Sequence, residues 1–335
     1  MRRSAPASAL LTLASLAALT TTQVHAQSDA AKTQAPLDVV VTVGMLGDLV
    51  EQVGGDCVAV NTMMGPGIDP HLYQASARDV HDLDQAELIL YSGFSLEGQL
   101  GKVFDRFSRI KPTAAVSEQA VGDDQLIHTQ DAYGVDPHLW MDAGLWARNV
   151  PVIAELLGEQ RPHCAEAMQQ RAEAYQASLA ELDDWIQASI DSIPAEQRIL
   201  VTAHDAFGYY GRAYSIEVAG IQGLSTATET GVADIRRMAE LVVERGVPAM
   251  FVESTINPRT VQAVIDAAAD QDHRVEIGGQ LYSDAMGAKG TLEGTYIGML
   301  KSNTEHIVSA LGGQPAPLPE ALAAQIASAS QDADQ

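Results

Sequence analysis

The first third of the chain alternates short apolar runs with amphipathic stretches. Residues 37–43 (LDVVVTV) form a continuous β-branched run, the pattern of a strand buried on both faces. Residues 44–53 follow with the apolar spacing of a helix. The alternation continues through predicted strands at 58–63, 88–91 and 113–116 and predicted helices at 76–86 and 96–107. Strands that alternate with helices predict parallel βαβ units and an α/β fold.

A single long helix is predicted over residues 164–193. Its apolar residues recur at spacings of three and four, and proline is absent until Pro194. Such a helix would be about 40 Å long at roughly 1.5 Å per residue. We interpret it as a rigid connector between an N-terminal α/β lobe, 37–163, and a C-terminal α/β lobe, 194–312. The alternative, a helical hairpin, would need a helix breaker near the middle, and the sequence has none there.

The second half repeats the strand and helix pattern. Strands are predicted at 199–202, 249–253 and 275–277, and helices at 233–245, 258–270 and 296–311. Residues 313–335 are rich in Pro, Ala and Ser and are predicted to be a disordered tail. The small, polar residues 27–36 are predicted to be a flexible N-terminal segment.

The N-terminus has the pattern of a secretory signal peptide. Arg2 and Arg3 precede an apolar run at about 9–19, and Val-His-Ala ends at Ala26 with a small residue. The run is too short to span a bilayer as an anchor, and no cysteine follows it to carry a lipid. We expect cleavage of residues 1–26 and export to the periplasm.

Acidic residues dominate the charge. The 335 residues include 20 Lys and Arg against 44 Asp and Glu, for a formal net charge of −24. A general nucleic-acid-binding protein needs a basic face, so this class is excluded. The excess favours a soluble protein that attracts cations, although solubility alone also explains it.

Two cysteines, Cys57 and Cys164, are present. Two residues do not define a disulfide framework, and the sequence cannot bring their Cα atoms within bridging distance. Export would permit one bridge, but we predict two buried thiols.

One short sequence occurs twice. Gly67 to Tyr73 (GIDPHLY) and Gly134 to Trp140 (GVDPHLW) share Gly, aliphatic, Asp, Pro, His, Leu and aromatic residues in order. Proline fixes its own φ and disfavours helix in the residue before it, so each histidine is delivered from a rigid turn. A fixed imidazole suits a metal, although a single such turn is more simply a structural histidine. The repetition favours the metal.

Two further polar residues follow predicted strands. His204 stands after the strand at 199–202, and Asp284 lies a few residues beyond the strand at 275–277. Open α/β sheets bind ligands at the carboxyl ends of their parallel strands. The spacings do not form a local metal motif, so two interpretations remain: three imidazoles and a carboxylate that converge, or unrelated polar residues.

Several segments resemble the metal-binding receptors of zinc and manganese ABC importers, the TroA/ZnuA-like solute-binding proteins. They are GIDPHLY, SGFSLEG, DPHLWMD, TAHDAFGYYGRAY, GLSTATE, FVES and GGQLYSDAM, and they cover nearly all of 37–312. The resemblance implies two βα lobes with parallel sheets, one long connecting helix and a metal site in the inter-lobe cleft. It also implies that His71, His138, His204 and Asp284 are the metal ligands.

The identity of the metal follows less directly. Zinc-specialised members often carry a His-rich loop, whereas residues 117–135 are acidic with one histidine, His128. Many manganese members have Glu where this chain has His204. Three imidazoles and a carboxylate suit Zn²⁺, while Mn²⁺ prefers more oxygen ligands, so zinc is favoured and manganese is next. Asp69, Asp136 and Glu253 are candidates for orienting the ligand histidines, with turn capping an equal alternative for the two aspartates.

The resulting hypothesis is a monomeric periplasmic receptor that passes a divalent metal to a membrane permease. It is not an enzyme and needs no organic cofactor. A zinc hydrolase is the first alternative, but Asp284 would fill the coordination position that an activated water needs. An exported adhesin is the second, and it would need an exposed binding face.

Overall fold

The computed structural model describes residues 35–130 and 133–331. The predicted signal peptide, 1–26, and most of the flexible segment, 27–36, lie outside the described residues.

The N-terminal lobe is built on a four-stranded parallel sheet of order β2-β1-β3-β4. The strands are β1 (Leu37–Val43), β2 (Val58–Met64), β3 (Leu88–Tyr91) and β4 (Thr113–Ala115). Its helices are α1 (Gly44–Gly54), α2 (Ala77–Gln85), α3 (Gly101–Phe107), α4 (Val116–Ala120), α5 (Ala143–Trp146) and α6 (Asn149–Gln160). In β1 every residue but Asp38 is buried, which confirms a strand covered on both faces.

The C-terminal lobe contains two parallel strand pairs, β5–β6 and β7–β8. The strands are β5 (Ile199–His204), β6 (Glu217–Gln222), β7 (Ala249–Glu253) and β8 (Glu276–Leu281). Its helices are α8 (Gly208–Tyr214), α9 (Val232–Arg245), α10 (Arg259–Ala269) and α11 (Tyr296–Ala310). Strand β6 was not predicted, because Ala219 and Gly220 are weak strand formers at its centre.

The connector is one continuous helix, α7 (Ala165–Ile190), of 26 residues. One face of it is buried, along Met168, Ala172, Tyr175, Leu179, Leu182 and Ile186. This face packs against α1, α6 and α11, so the helix contacts elements of both lobes. The predicted α/β architecture with a long connecting helix is therefore confirmed.

The prediction of two free thiols is wrong. Cys57 and Cys164 form a disulfide across 107 positions, with their Cα atoms 6.5 Å apart. Cys57 immediately precedes β2 and Cys164 immediately precedes α7. Packing of α7 on the N-terminal lobe brings the two together, which sequence spacing cannot reveal.

In the described part of 313–335, the structure contains defined contacts and a helix in place of the predicted disordered tail. Trp185 Nε1 donates to Ala316 O (2.8 Å), and Ala316 N donates to Ser189 Oγ (3.0 Å), so the segment lies along α7. A final helix, α12 (Glu320–Gln331), follows, and its Leu322 is fully buried. Leu318, Leu322 and Ile326 recur every fourth residue, a helical signal that the Ala- and Ser-rich composition obscures.

Within the described ranges, no helix combines the length and the apolar character needed to cross a membrane.

Candidate metal centre

The two copies of the Asp-Pro-His sequence form the same turn. Each begins with a glycine in the left-handed region, with φ +72° at Gly67 and +71° at Gly134. In each copy the aspartate accepts a hydrogen bond from the histidine backbone: Asp69 Oδ1 from His71 N (2.8 Å) and Asp136 Oδ1 from His138 N (2.9 Å). The repeated sequence is therefore a repeated backbone, which directs each imidazole rigidly.

Four side chains from distant parts of the chain meet between the lobes. His71 follows β2, His204 is the last residue of β5, and Asp284 lies three residues beyond β8. His138 immediately precedes a 3-10 turn at Leu139–Met141. The exposed fractions of these four residues are 4% for His71, 0% for His138 and His204, and 1% for Asp284. The structure thus brings together all four side chains that the resemblance implies.

The facing atoms of this tetrad are spaced as metal ligands are. His71 Nε2 lies 3.3 Å from His138 Nε2, and His138 Nε2 lies 3.3 Å from Asp284 Oδ1. Asp284 Oδ2 lies 3.2 Å from His204 Nε2 and 3.7 Å from His71 Nε2. Two ligand atoms held about 2.0–2.1 Å from a tetrahedral zinc ion would lie roughly 3.4 Å apart. The observed distances between facing atoms, 3.2–3.7 Å, are close to that value.

Three of the facing atoms, unlike His71 Nε2 and His138 Nε2, make no hydrogen bond within the part of the chain that the structure describes. His204 Nε2 and both oxygens of Asp284 are buried without a hydrogen-bond partner among the described residues. Burial of an unpaired polar atom costs free energy unless a ligand or ion contacts it. A cation bound by these atoms would remove that cost.

Each imidazole has a partner on the nitrogen that faces away from Asp284. His138 Nδ1 is hydrogen-bonded to Asp136 Oδ1 (2.7 Å), and His204 Nδ1 lies 2.5 Å from Glu253 Oε2. Glu253 Oε1 also accepts from His204 N (2.8 Å), which fixes the carboxylate at the end of β5. These contacts hold the rings with Nε2 directed into the tetrad.

His71 differs from the other two histidines. Its Nδ1 lies 3.0 Å from the hydroxyl of Tyr133, whose ring stands edge-on to the imidazole. When Nε2 is the unprotonated nitrogen, Nδ1 carries the proton and donates a hydrogen bond to the hydroxyl oxygen of Tyr133. The sequence does not reveal this tyrosine, because it lies just before the second copy of the repeat, outside the shared residues and 62 positions from His71. Asp69, a candidate for orienting His71, contacts its backbone rather than its ring.

Burial and neighbouring carboxylates shift the pKa values of His138 and His204 in opposite directions. Burial lowers the pKa of His138, but the carboxylates of Asp136 and Asp284 outweigh burial and raise that pKa to about 9. Burial also lowers the pKa of His204, and Glu253 and Asp284 again prevail, holding the pKa well above its usual value.

The pKa values of the remaining two groups, His71 and Asp284, are lowered. Burial lowers the pKa of His71 to about 4, since Asp284 compensates only in part. Burial raises the pKa of Asp284, but His204 and His138 outweigh it and hold the pKa well below its usual range. The tetrad is therefore an ionised carboxylate surrounded by imidazoles, an arrangement that holds either protons or a cation.

The other described histidines lie outside the tetrad. His81, His128, His163 and His306 are exposed, and His273 is half-buried with its Nε2 hydrogen-bonded to Val247 O (3.0 Å). The loop residue His128 contacts Asp123 instead of the site.

Comparison with known proteins gives a consistent result. The family model described as zinc-uptake complex component A, periplasmic, matches residues 39–310. The zinc-binding protein TroA of Treponema pallidum is 44% identical over 290 residues, which are 87% of this chain and 93% of TroA. The manganese-binding lipoprotein MntA of Bacillus subtilis is 42% identical over 275 residues, 82% of this chain and 90% of MntA.

The solved structures agree. The periplasmic zinc-binding protein TroA from Treponema pallidum superimposes with a TM-score of 0.80 at 44% identity, over 82% of this chain and 99% of that one. The family resemblance read from the motifs is thus confirmed. Members of this family are metal-binding transport proteins, so the prediction that the chain is not an enzyme is also confirmed. The chain belongs to the family of periplasmic zinc-uptake complex component A, the metal-binding substrate-binding proteins of ABC importers.

Proposed function

We propose that the protein captures a divalent transition metal ion with His71, His138, His204 and Asp284 and delivers it to a membrane permease. The single observation that carries this proposal is the spacing of the four buried donor groups, 3.2–3.7 Å between facing atoms. Donors from the lobes at 37–163 and 194–312 would hold the ion between them, with 164–193 as connector. Asp136 and Glu253 support this role because each contacts the ring of a ligand histidine.

Zinc is the first choice of cargo and manganese the second. Three imidazole nitrogens and one carboxylate complete the four-coordinate set that Zn²⁺ favours. The two oxygens of Asp284 face different imidazoles, Oδ1 towards His138 and Oδ2 towards His204. A bidentate Asp284 would supply a fifth ligand atom, which moves the set towards the preference of Mn²⁺ for oxygen. Relatives named for zinc and for manganese support both choices.

The experiment is elemental analysis of protein purified from its native compartment, beside titration of the metal-free protein with Zn²⁺ and Mn²⁺ in competition with a chelator. We expect one equivalent of metal and tighter binding of zinc. His138→Ala should abolish stoichiometric binding, whereas His81→Ala, which alters an exposed histidine of α2, should not. Equal binding by the two variants would refute the assignment of ligands.

We further propose that the chain is cleaved near Ala26, is released into the periplasm and acts as a monomer. The n-region, apolar run and Val-His-Ala site support the cleavage. Intact mass of the periplasmic protein and sedimentation velocity test both points. A mass that retains residues 1–26, or sedimentation as a dimer, would contradict them.

A further inference from the structure

The two Asp-Pro-His turns differ in what their aspartates do besides closing the turn. Asp136 Oδ1 reaches the ring of its own histidine, His138, at 2.7 Å. Asp69 Oδ2 instead accepts a hydrogen bond from Thr226 Oγ1 (2.5 Å), a residue 157 positions away in the C-terminal lobe. The same turn is thus tied to its own imidazole in one copy and to the opposite lobe in the other.

The loop that carries Thr226 is held in shape by side-chain hydrogen bonds. Gln222, the last residue of β6, donates from Nε2 to Thr226 O (2.9 Å). Ala227 N donates to Ser225 Oγ (3.2 Å). These contacts present the Thr226 hydroxyl to the first turn from a folded loop, which reduces the entropy lost when the inter-lobe hydrogen bond forms.

The histidine on that turn depends on this support more than the others do. The rings of His138 and His204 are contacted by the carboxylates of Asp136 and Glu253. The ring of His71 is contacted by the neutral hydroxyl of Tyr133. Charged partners form stronger hydrogen bonds than neutral ones, so the position of His71 relies more on the backbone of its turn.

We propose that Thr226 is a positioning residue that sets the residence time of the captured metal. Its hydroxyl holds Asp69, Asp69 holds the backbone of His71, and His71 stays against the ion until the hydrogen bond between the lobes breaks. The proposal rests on the proposed function, since it concerns the release of an ion bound by the tetrad. Most differences in affinity between related complexes lie in the dissociation rate, and a contact that closes the site acts on that rate.

The test measures zinc release by stopped flow, with a chromophoric chelator in excess, from the wild type and three variants. Thr226→Val keeps the volume of the side chain and removes its hydroxyl, and we expect release to be about 10-fold faster or more, with little change in association. Thr226→Ser restores the hydroxyl and should restore slow release. Thr228→Val, a matched change at an exposed threonine of the same loop, should leave the rate unchanged.

A double variant separates this role from a general loosening of the loop. In an Asp69→Ala background, Thr226→Val should cause no further acceleration, because the hydrogen bond is already lost. Three results would each overturn the proposal. The first is zinc release from Thr226→Val at the wild-type rate, and the second is an equal effect of Thr226→Val and Thr228→Val on that rate. The third is additive effects of the two substitutions in the double variant. Failure of the wild type to bind an equivalent of metal would overturn the proposed function instead, so the two failures are distinguishable.

Discussion

At the scale of single residues, the imidazoles of the tetrad are positioned by groups that do not face the ion. Glu253 is the clearest example, because one oxygen accepts from the backbone of His204 and the other lies 2.5 Å from its ring. A carboxylate in this position fixes the orientation of the ring and increases the basicity of the nitrogen that faces the ion.

Replacing that carboxylate should weaken metal binding without unfolding the protein. Glu253→Gln keeps the size of the side chain and removes its charge, so we expect zinc affinity to fall about 10- to 100-fold. Chelator competition measures the change. Glu276→Gln, at an exposed position of β8, is the control and should bind as the wild type does. Equal affinities for all three proteins would show that Glu253 has only a structural role.

Proton release should accompany metal binding. At pH 7 His138, with a pKa of about 9, and His204, whose pKa is higher than usual, are protonated in the metal-free protein, whereas His71, at about 4, is neutral. A metal needs unprotonated nitrogens, so binding should release about two protons, one from each charged imidazole. Affinity should rise with pH through neutrality to about 9 and fall in acid.

Isothermal titration calorimetry in buffers of different ionisation enthalpy counts these protons. A count of zero at pH 7 would mean that both imidazoles are already neutral before the metal arrives.

At the scale of elements, the contacts of α7 organise the molecule. The helix receives the disulfide at its N-terminal end and the C-terminal segment near its other end. Its apolar face was predictable, because spacings of three and four place those side chains on one side of a helix. Its partners were not predictable, because helix spacing identifies a buried face and not what covers it.

The final helix provides one test of these contacts. Leu322 is fully buried, so Leu322→Ala should lower the free energy of unfolding by about 2–5 kcal/mol. Ala324→Ser, at an exposed position of the same helix, should change it little. Thermal and chemical unfolding measure both variants. If Leu322→Ala leaves the stability unchanged, α12 is not packed in solution and the disordered tail that composition suggests is the better description.

The disulfide between Cys57 and Cys164 provides a second test of the contacts of α7. Replacing both Cys57 and Cys164 by Ala should cost about 2–5 kcal/mol, because the bridge closes a loop of roughly 100 residues in the unfolded chain. Metal affinity should remain, since Cys57 precedes β2 whereas His71 follows the other end of that strand. The wild type in reductant should unfold as the variant does. Equal stability of the variant and the oxidised wild type would argue against a bridge in solution.

At the scale of the whole molecule, one continuous helix joins the lobes, with contacts to both of them. A connector of this kind resists the wide rotation that flexible hinge strands permit. Release of the ion would then require local movements, such as that of the turn bearing His71, rather than complete separation of the lobes.

Small-angle scattering tests this expectation. The curves of metal-free and zinc-loaded protein should superimpose closely, with only a slight change in radius of gyration. A large compaction on zinc binding would contradict a rigid connector.

The local structure of the site and most of the elements that surround it could be predicted from the amino-acid sequence alone. The strand β1, the helix α7 and the two Asp-Pro-His turns follow from restrictions on φ and from apolar periodicity within a few neighbouring residues. Together with family motifs, these features were sufficient to select the four residues of the tetrad.

The pairing of residues that are distant along the chain depends instead on tertiary packing. Cys57 pairs with Cys164, Tyr133 meets the ring of His71, and Thr226 binds Asp69. None of these contacts leaves a periodic or compositional trace, because each depends on how whole elements pack. Local dihedral preferences act over a few residues, whereas contacts across 107 or 157 positions exist only once the lobes and the connecting helix have assembled.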